Sequence, residues 1–315
     1  MTEIIRKKLS DSAGARWTAL LIVAFTMMMG YFITDVMSPL EVILETSKEQ
    51  GGLGWSSSDY GFFAGSYGLI NVFMLMLFFG GIILDKMGIR FTGVMASGLM
   101  VVGVIIKYFG VTTDFGDSKF TLDFVNFSLP MSAAIASLGF AIFGVGCEIC
   151  GITISKIITK WFTGHELALA MGVQVGLARL GTTAAMAGSL PLAKAFGNHV
   201  SAPILLGLVL LIAGFLAFIV YTVMDKKLDA STGEVTGNVS DEDEGFHFAD
   251  LKFIFTNPGF WCITLLCLMF YSGVFPFLKF ATKLMVDNYN VPQDLAGSLP
   301  GAIPLGTIIL TPLFG

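Results

Sequence analysis

Glu148 and Arg179 are the residues best placed to do chemistry. Each is a charged side chain inside a long apolar run, where an ionisable group costs about 2.5–3.5 kcal/mol to insert on translocon scales. Counting back from Trp161 and forward from His165, about 13 and 14 helical residues put both charges roughly 20 Å from the same interface at ~1.5 Å per residue. That depth is close to the bilayer midplane, where solute sites of repeat-built carriers lie. The charges are opposite in sign and fall on consecutive apolar runs. Two arrangements follow. The pair is a buried salt bridge that neutralises itself and adds little net stability. Otherwise each charge is one pole of a zwitterion site, with Glu148 taking an ammonium and Arg179 a carboxylate through its bidentate fork.

Other charges belong to the same search. Asp35 lies deep in the first apolar run, just before Ser38-Pro39, a pair that kinks helices. It is a second candidate for solute binding. Glu41 is expected near the outer mouth. Lys279, three residues after Pro276, is the candidate from the far end of the chain. Gly172, Gly176 and Gly181 are read as packing positions. Tyr31, Tyr67 and Tyr271 are read as lipid-facing or core. The CxxC of Cys147 and Cys150 has no second pair and no nearby His, so both are read as small apolar helix residues and no metal site is expected.

The elements that position these charges are membrane spans. The chain is 55% hydrophobic and 13% charged, where soluble domains carry about 25% charged residues. The surplus apolar surface must face lipid. Apolar runs long enough to cross, at about 20 residues, lie at 17–44, 60–84, 92–109, 132–161, 167–193, 203–224 and 260–285, with a partial run at 296–315. A polar segment at 225–257, with Asp-Glu-Asp-Glu at 241–244, reads as a solvated linker. The organisation is therefore a six-helix unit at 1–224, a linker at 225–257 and the start of a second unit at 258–315. Asp59 and Gly81, 22 residues apart, are echoed by Asp294 and Gly315, 21 apart, which supports an internal repeat. On this reading the second copy breaks off where its loop would begin.

Lys and Arg set the orientation. Inside segments would hold Arg6, Lys7, Lys8, Arg16, Lys86, Arg90, Lys156, Lys160, Lys226, Lys227 and Lys252, and outside ones only Lys48, Lys107, Lys119, Lys194 and Lys283. The bias places the N-terminus in the cytoplasm. The first residues are polar and basic, unlike a signal peptide. No HExxH, GxSxG, P-loop or Cys/His set appears, which argues against an enzyme. No basic, aromatic-interleaved patch suggests nucleic acid.

Between the second and third runs stands Gly81-Ile-Ile-Leu-Asp85-Lys86-Met-Gly88-Ile-Arg90. Gly81 would let another helix approach closely. Asp85 would accept from backbone N–H groups at a helix N-terminus or from a basic side chain, and Gly88 would allow a tight turn. Lys86 and Arg90 would anchor the loop and pair with carboxylates. The run resembles the signature GxxxD(R/K)xGx(R/K) of the major facilitator superfamily, departing at Phe91, where a second basic residue is usual. The resemblance implies an all-α polytopic bundle of the major facilitator fold, and a loop that acts as a conformational gate between two halves.

Two further stretches are Cys147-Glu-Ile-Cys-Gly with Trp161-Phe-Thr-Gly-His-Glu-Leu and Gln174 to Gly181, and Tyr271-Ser-Gly-Val-Phe-Pro-Phe. They resemble the dipeptide-uniporter branch of that superfamily, typified by major facilitator superfamily domain-containing protein 1. The resemblance is dense over 147–181 and 260–280. It implies a dipeptide or similar small zwitterion as substrate, with Glu148 and Arg179 as its charge clamps. The alternative is an organic-anion (carboxylate) transporter or antiporter, with Arg179 as anion site and Glu148 as partner or proton carrier. The fifth run lacks the GPxxGG pattern of antiporters. A non-transporting receptor or scaffold would leave the buried charges unexplained. The expected partners are a small solute, the bilayer and, for a coupled carrier, a proton. A monomer without cofactor is expected. The short N-terminus, without an acidic dileucine signal, points to a plasma membrane, the bacterial inner membrane.

Overall fold

A computed structural model describes residues 9–123, 126–232 and 250–314. The charge run 241–244, the basic residues at 6–8 and Gly315 lie outside the described residues. Helix α1 (Ala13–Asp35) starts at an N-cap, Ser12, whose side chain accepts from Ala15 N. It ends where Pro39 enters a 3-10 turn, Ser38–Leu40, ahead of the short α2 (Glu41–Leu44). Proline has no N–H to continue the ladder, so the expected kink at Ser38-Pro39 is a break. Helix α3 (Ser57–Phe73) opens on a reciprocal capping box between Ser56 and Asp59, and α4 (Met76–Thr112) follows it.

Strands β1 (Lys119–Leu122) and β2 (Phe127–Pro130) pair antiparallel. Helices α5 (Met131–Phe162), α6 (Leu167–Ala195), α7 (Ser201–Thr232), α8 (Asp250–Thr256), α9 (Pro258–Tyr289), α10 (Gln293–Ala296) and α11 (Ser298–Phe314) complete the described chain. Among the described residues, six helices are long and apolar enough to cross a membrane. The fold is all-α apart from the β1–β2 hairpin, which the sequence reading passed over as loop.

Gly88 decides how α4 is used. Its backbone (φ 76°, ψ 169°) is not helical and belongs to glycine almost alone. Residues on either side of it meet the same stretch of α5. A Cβ at Gly80 would stand 2.7 Å from Ile149, and one at Gly146 would stand 2.6 Å from Ala96 O. The chain therefore folds back at Gly88, and residues 76–87 and 89–112 are two antiparallel limbs. Gly88→Ala is expected to cost about 1–3 kcal/mol, the range for a strained backbone position. A melting curve of the purified variant checks it, and an unchanged midpoint would argue against this turn.

Three expectations are corrected here. The second run is not continuous: Leu75 adopts a left-handed conformation (φ 49°, ψ 39°) between α3 and α4. Close approach occurs at Gly80 rather than Gly81, where an added Cβ would meet nothing within 4 Å. A helix turns about 100° per residue, so only one of two successive glycines can face α5. Finally, α7 runs eight residues into the supposed linker, to Thr232, and residues 250–256 of that linker form α8. Asp225 and Asp229, one turn apart, are buried there. Ion pairs to neighbouring helices hold the last turns of α7 in place.

Packing is backbone-close where α4 meets α5. A Cβ at Gly103 would lie 2.6 Å from Gly139 O, and one at Gly110 would lie 2.6 Å from Ala136 N. Without a hydrophobic drive in lipid, small residues that let helices approach are the main source of association. Gly181 does the same for α6 against Met28 of α1, as its reading as a packing position expected. Helix α1 is the axial element, packed on α5, α6 and α7, while α11 lies along α6 and α9 meets the Ser38–Leu40 turn and α2.

Candidate functional site

Glu148 and Arg179 are both half-buried, and they are not bonded to each other. The phenol of Tyr67, on α3, donates to Glu148 Oε1 at 2.6 Å. The guanidinium of Arg179 sits over the Tyr31 ring of α1, with Cζ 5.5 Å from its centroid. Tyr31 lies within electrostatic reach of both charges and of Tyr271 on α9. Among the described residues, Tyr67 is the one side chain bonded to Glu148, and Arg179 has no carboxylate partner. The first of the two sequence arrangements, a self-neutralising salt bridge, is therefore not the one adopted.

Tyr31 and Tyr67 pack against the core, one of the two places expected for them, and they also contact the two charges, which was not expected. The signal was available for Tyr31, which lies one turn before Asp35 on the same face of α1. Tyr67 carried none, since its partner is on another helix. Tyr271 stacks on Phe275 with centroids 5.1 Å apart. Tyr67→Phe keeps the ring and deletes the hydrogen bond. It is expected to weaken amine-bearing ligands by about 1.5–3 kcal/mol at most, the worth of one hydrogen bond to a charged group. Equilibrium binding measures this, and unchanged affinity would remove Tyr67 from the site.

One turn beyond Tyr31, Asp35 pairs with Lys279 of α9 at 2.7 Å. Lys279 also donates to Thr34 O at 2.5 Å, and its own carbonyl accepts from Tyr60 OH at 3.0 Å. The two residues, expected separately as solute contacts, are thus partners of each other. Lys283 bonds Glu45 and Ser57 nearby. Glu41, expected near the mouth, is fully buried, and its carboxylate oxygens have no hydrogen-bond partner. Lys107, counted with the outside charges, is fully buried on α4, where Gly139 lets α5 approach its backbone closely. These groups lie toward the end that carries the β1–β2 hairpin.

The opposite end, at Gly88, holds the gate motif. Asp85 pairs with Lys156 of α5 at 2.7 Å, both about half exposed. Lys86 is exposed. Arg90 bonds Asp225 through Nε at 2.9 Å and reaches Asp229 through Nη2. Lys160 bonds the same two carboxylates at 2.9 and 2.7 Å. Tyr221 donates to Asp225 at 3.2 Å and accepts from Trp161 at 3.1 Å. Arg16 of α1 bonds Glu166 at 3.1 Å; that carboxyl is held below its ordinary range by its own backbone N–H and then by the guanidinium. Asp85 and Arg90 thus find partners on α5 and α7, and Asp85 takes the basic side chain, one of the two kinds of partner expected for it. Asp225 and Asp229 were missed because their polar surroundings read as linker.

The model of the Major Facilitator Superfamily matches residues 20–315. Relatives include the lysosomal dipeptide transporter MFSD1 of Bos taurus, 22% identical over 95% of this chain and 60% of the relative. The protein of the same name from Danio rerio is 24% identical over 77% of this chain and 50% of the relative. The chain thus spans about 60% of the first of these relatives and half of the second. These similar proteins are named as transporters rather than enzymes.

Proposed function

Because the chain belongs to the Major Facilitator Superfamily, we propose that it carries a small zwitterion, a dipeptide above all, across a membrane by alternating access. The observation that carries this reading is the geometry of Glu148 and Arg179: opposite charges on consecutive helices, each held by a tyrosine and neither neutralised by the other. A charge at this depth needs a partner. A ligand with an ammonium at one end and a carboxylate at the other supplies both at once. Tyr67 fixes the Glu148 carboxylate, and the Tyr31 ring steadies the guanidinium, whose N–H donors can meet a carboxylate. The names of the relatives agree with this substrate class.

One observation favours the second reading, an organic-anion carrier. Glu148 already accepts a hydrogen bond, so Arg179 is the more available charge. A thermal-shift screen of the purified protein separates the two readings, since a ligand stabilises the state it binds. Dipeptides with both termini free should raise the melting temperature, and capped dipeptides and dicarboxylates should not. A shift with dicarboxylates alone would favour the anion carrier. In this proposal the Gly88 loop with Asp85, Lys86 and Arg90 faces the cytoplasm and biases the inward–outward balance. The proposed location is the plasma membrane, unlike that in the relatives' names.

A further inference from the structure

Lys107 is a buried lysine that the solute site does not use. It lies on α4 and is fully buried. Its Nζ donates to Ile33 O at 3.2 Å and stands over the Phe140 ring at 4.6 Å and the Phe63 ring at 5.3 Å. Among the described residues it has no carboxylate partner, although three protons are available for donation. Asp35 is two residues beyond its one acceptor, and Lys107 is within electrostatic reach of both Asp35 and Lys279. Lys279 Nζ faces the same Phe140 ring, at 5.7 Å. Two lysine head groups therefore crowd one ring and one carboxylate.

The two lysines belong to different parts of the molecule. Lys107 is in the first six-helix unit with Asp35, whereas Lys279 is on α9. The Asp35–Lys279 pair, Tyr60 on the Lys279 carbonyl and the Glu45–Lys283 pair all tie α9 to the hairpin end of the first unit. Opening that end requires α9 to withdraw, taking Lys279 with it. Asp35, 5% exposed, would then lose the one cation bonded to it among the described residues, and an unpaired carboxylate in such a setting is strongly disfavoured.

We propose that Lys107 is the alternate partner of Asp35: Asp35 is bonded to Lys279 when the hairpin end is closed and to Lys107 when it is open. The exchange draws on the flexible four-carbon stem of lysine, and it removes the repulsion between the two lysine head groups. The carboxylate stays paired in both states, so neither is trapped by the cost of orphaning it. This goes beyond the proposed substrate. It rests on alternating access and not on what is carried.

Spin labels at Glu49 and Tyr289, both exposed, report the separation of α9 from the first unit at this end. They would be placed in the intact protein in nanodiscs, with Cys147, Cys150, Cys262 and Cys267 replaced, and read by pulsed electron spin resonance without solute. Lys279→Met should raise the ratio of open to closed protein by on the order of tenfold, the size of a lost charge-assisted hydrogen bond. Adding Lys107→Met should reverse that gain by a similar factor and lower the melting temperature. Adding Asp35→Asn to this pair should restore both the open population and the melting temperature. Should Lys107→Met not accumulate as folded protein, Lys107→Gln takes its place, keeping a donor for Ile33 O without the charge. Equal open-to-closed ratios with and without the Lys107 substitution in the Lys279→Met background would overturn the proposal. So would a Lys107 effect that persists after Asp35→Asn. Because no solute enters the measurement, its outcome is independent of whether the dipeptide reading holds.

Discussion

Arg179→Lys weakens ligands with a free carboxylate by roughly 10- to 150-fold, although the charge is kept. The expectation comes from shape. The guanidinium stands over the Tyr31 ring and has no carboxylate partner among the described residues, so its N–H donors are available to meet a ligand carboxylate with two parallel hydrogen bonds. An ammonium is a point charge and cannot reproduce the fork. The loss is that of a charge-assisted hydrogen bond, about 1.5–3 kcal/mol. Ligands amidated at the C-terminus should bind the variant and the parent alike. The melting temperature should change little, because lysine still places a cation over Tyr31. Binding isotherms for matched free and amidated dipeptides read the effect. Equal losses for both ligands would mean that Arg179 shapes the fold and does not touch the carboxylate.

Glu148→Gln is the complementary case and should have a similar magnitude, about 1.5–3 kcal/mol against ligands with a free amine. The amide keeps an oxygen that can accept from Tyr67 OH, so the local geometry survives. What is lost is the negative charge that an ammonium needs. N-acetylated ligands, which carry no ammonium, should be spared. The salt-bridge account of the pair makes the opposite forecast: each single substitution destabilises, and removing both charges restores the protein. With no bond between Glu148 and Arg179, the double substitution should show melting changes that simply add. Restored stability in the double variant would return the pair to a structural role.

How far the sequence revealed this arrangement depended on where each residue's partners lie. Glu148 and Arg179 were legible because a charge inside an apolar run is conspicuous whatever surrounds it. The turn at Gly88 was legible because its conformational demand is local. Tyr67 was not, since a tyrosine in an apolar run looks the same whether it faces lipid or a carboxylate on the next helix. Asp35 and Lys279 were each suspected, but their pairing joins α1 to α9, and spacing along a chain says nothing about such a contact. Lys107 falls near the end of its apolar run and was tallied with the outer charges; its burial comes from close packing of α4 on α5 at Gly139, a contact that position along the chain does not reveal. Asp225 and Asp229 sit beside a polar stretch, so their helical state depends on Arg90 and Lys160, which a one-dimensional reading cannot bring near. Gly80 and Gly81 differ only in which face they occupy.

The most direct test of the zwitterion site is a cycle between protein and ligand. Affinities of a free dipeptide and its N-acetyl form are measured for the parent protein and for Glu148→Gln, and the same is done with the C-amide and Arg179→Lys. If each charge meets one terminus, acetylation should weaken binding to the parent by on the order of tenfold or more and have almost no further effect in Glu148→Gln, with amidation behaving likewise in Arg179→Lys. If acetylation and amidation weaken the variants as much as the parent, Glu148 and Arg179 do not hold the two ends of the ligand, and the account is wrong.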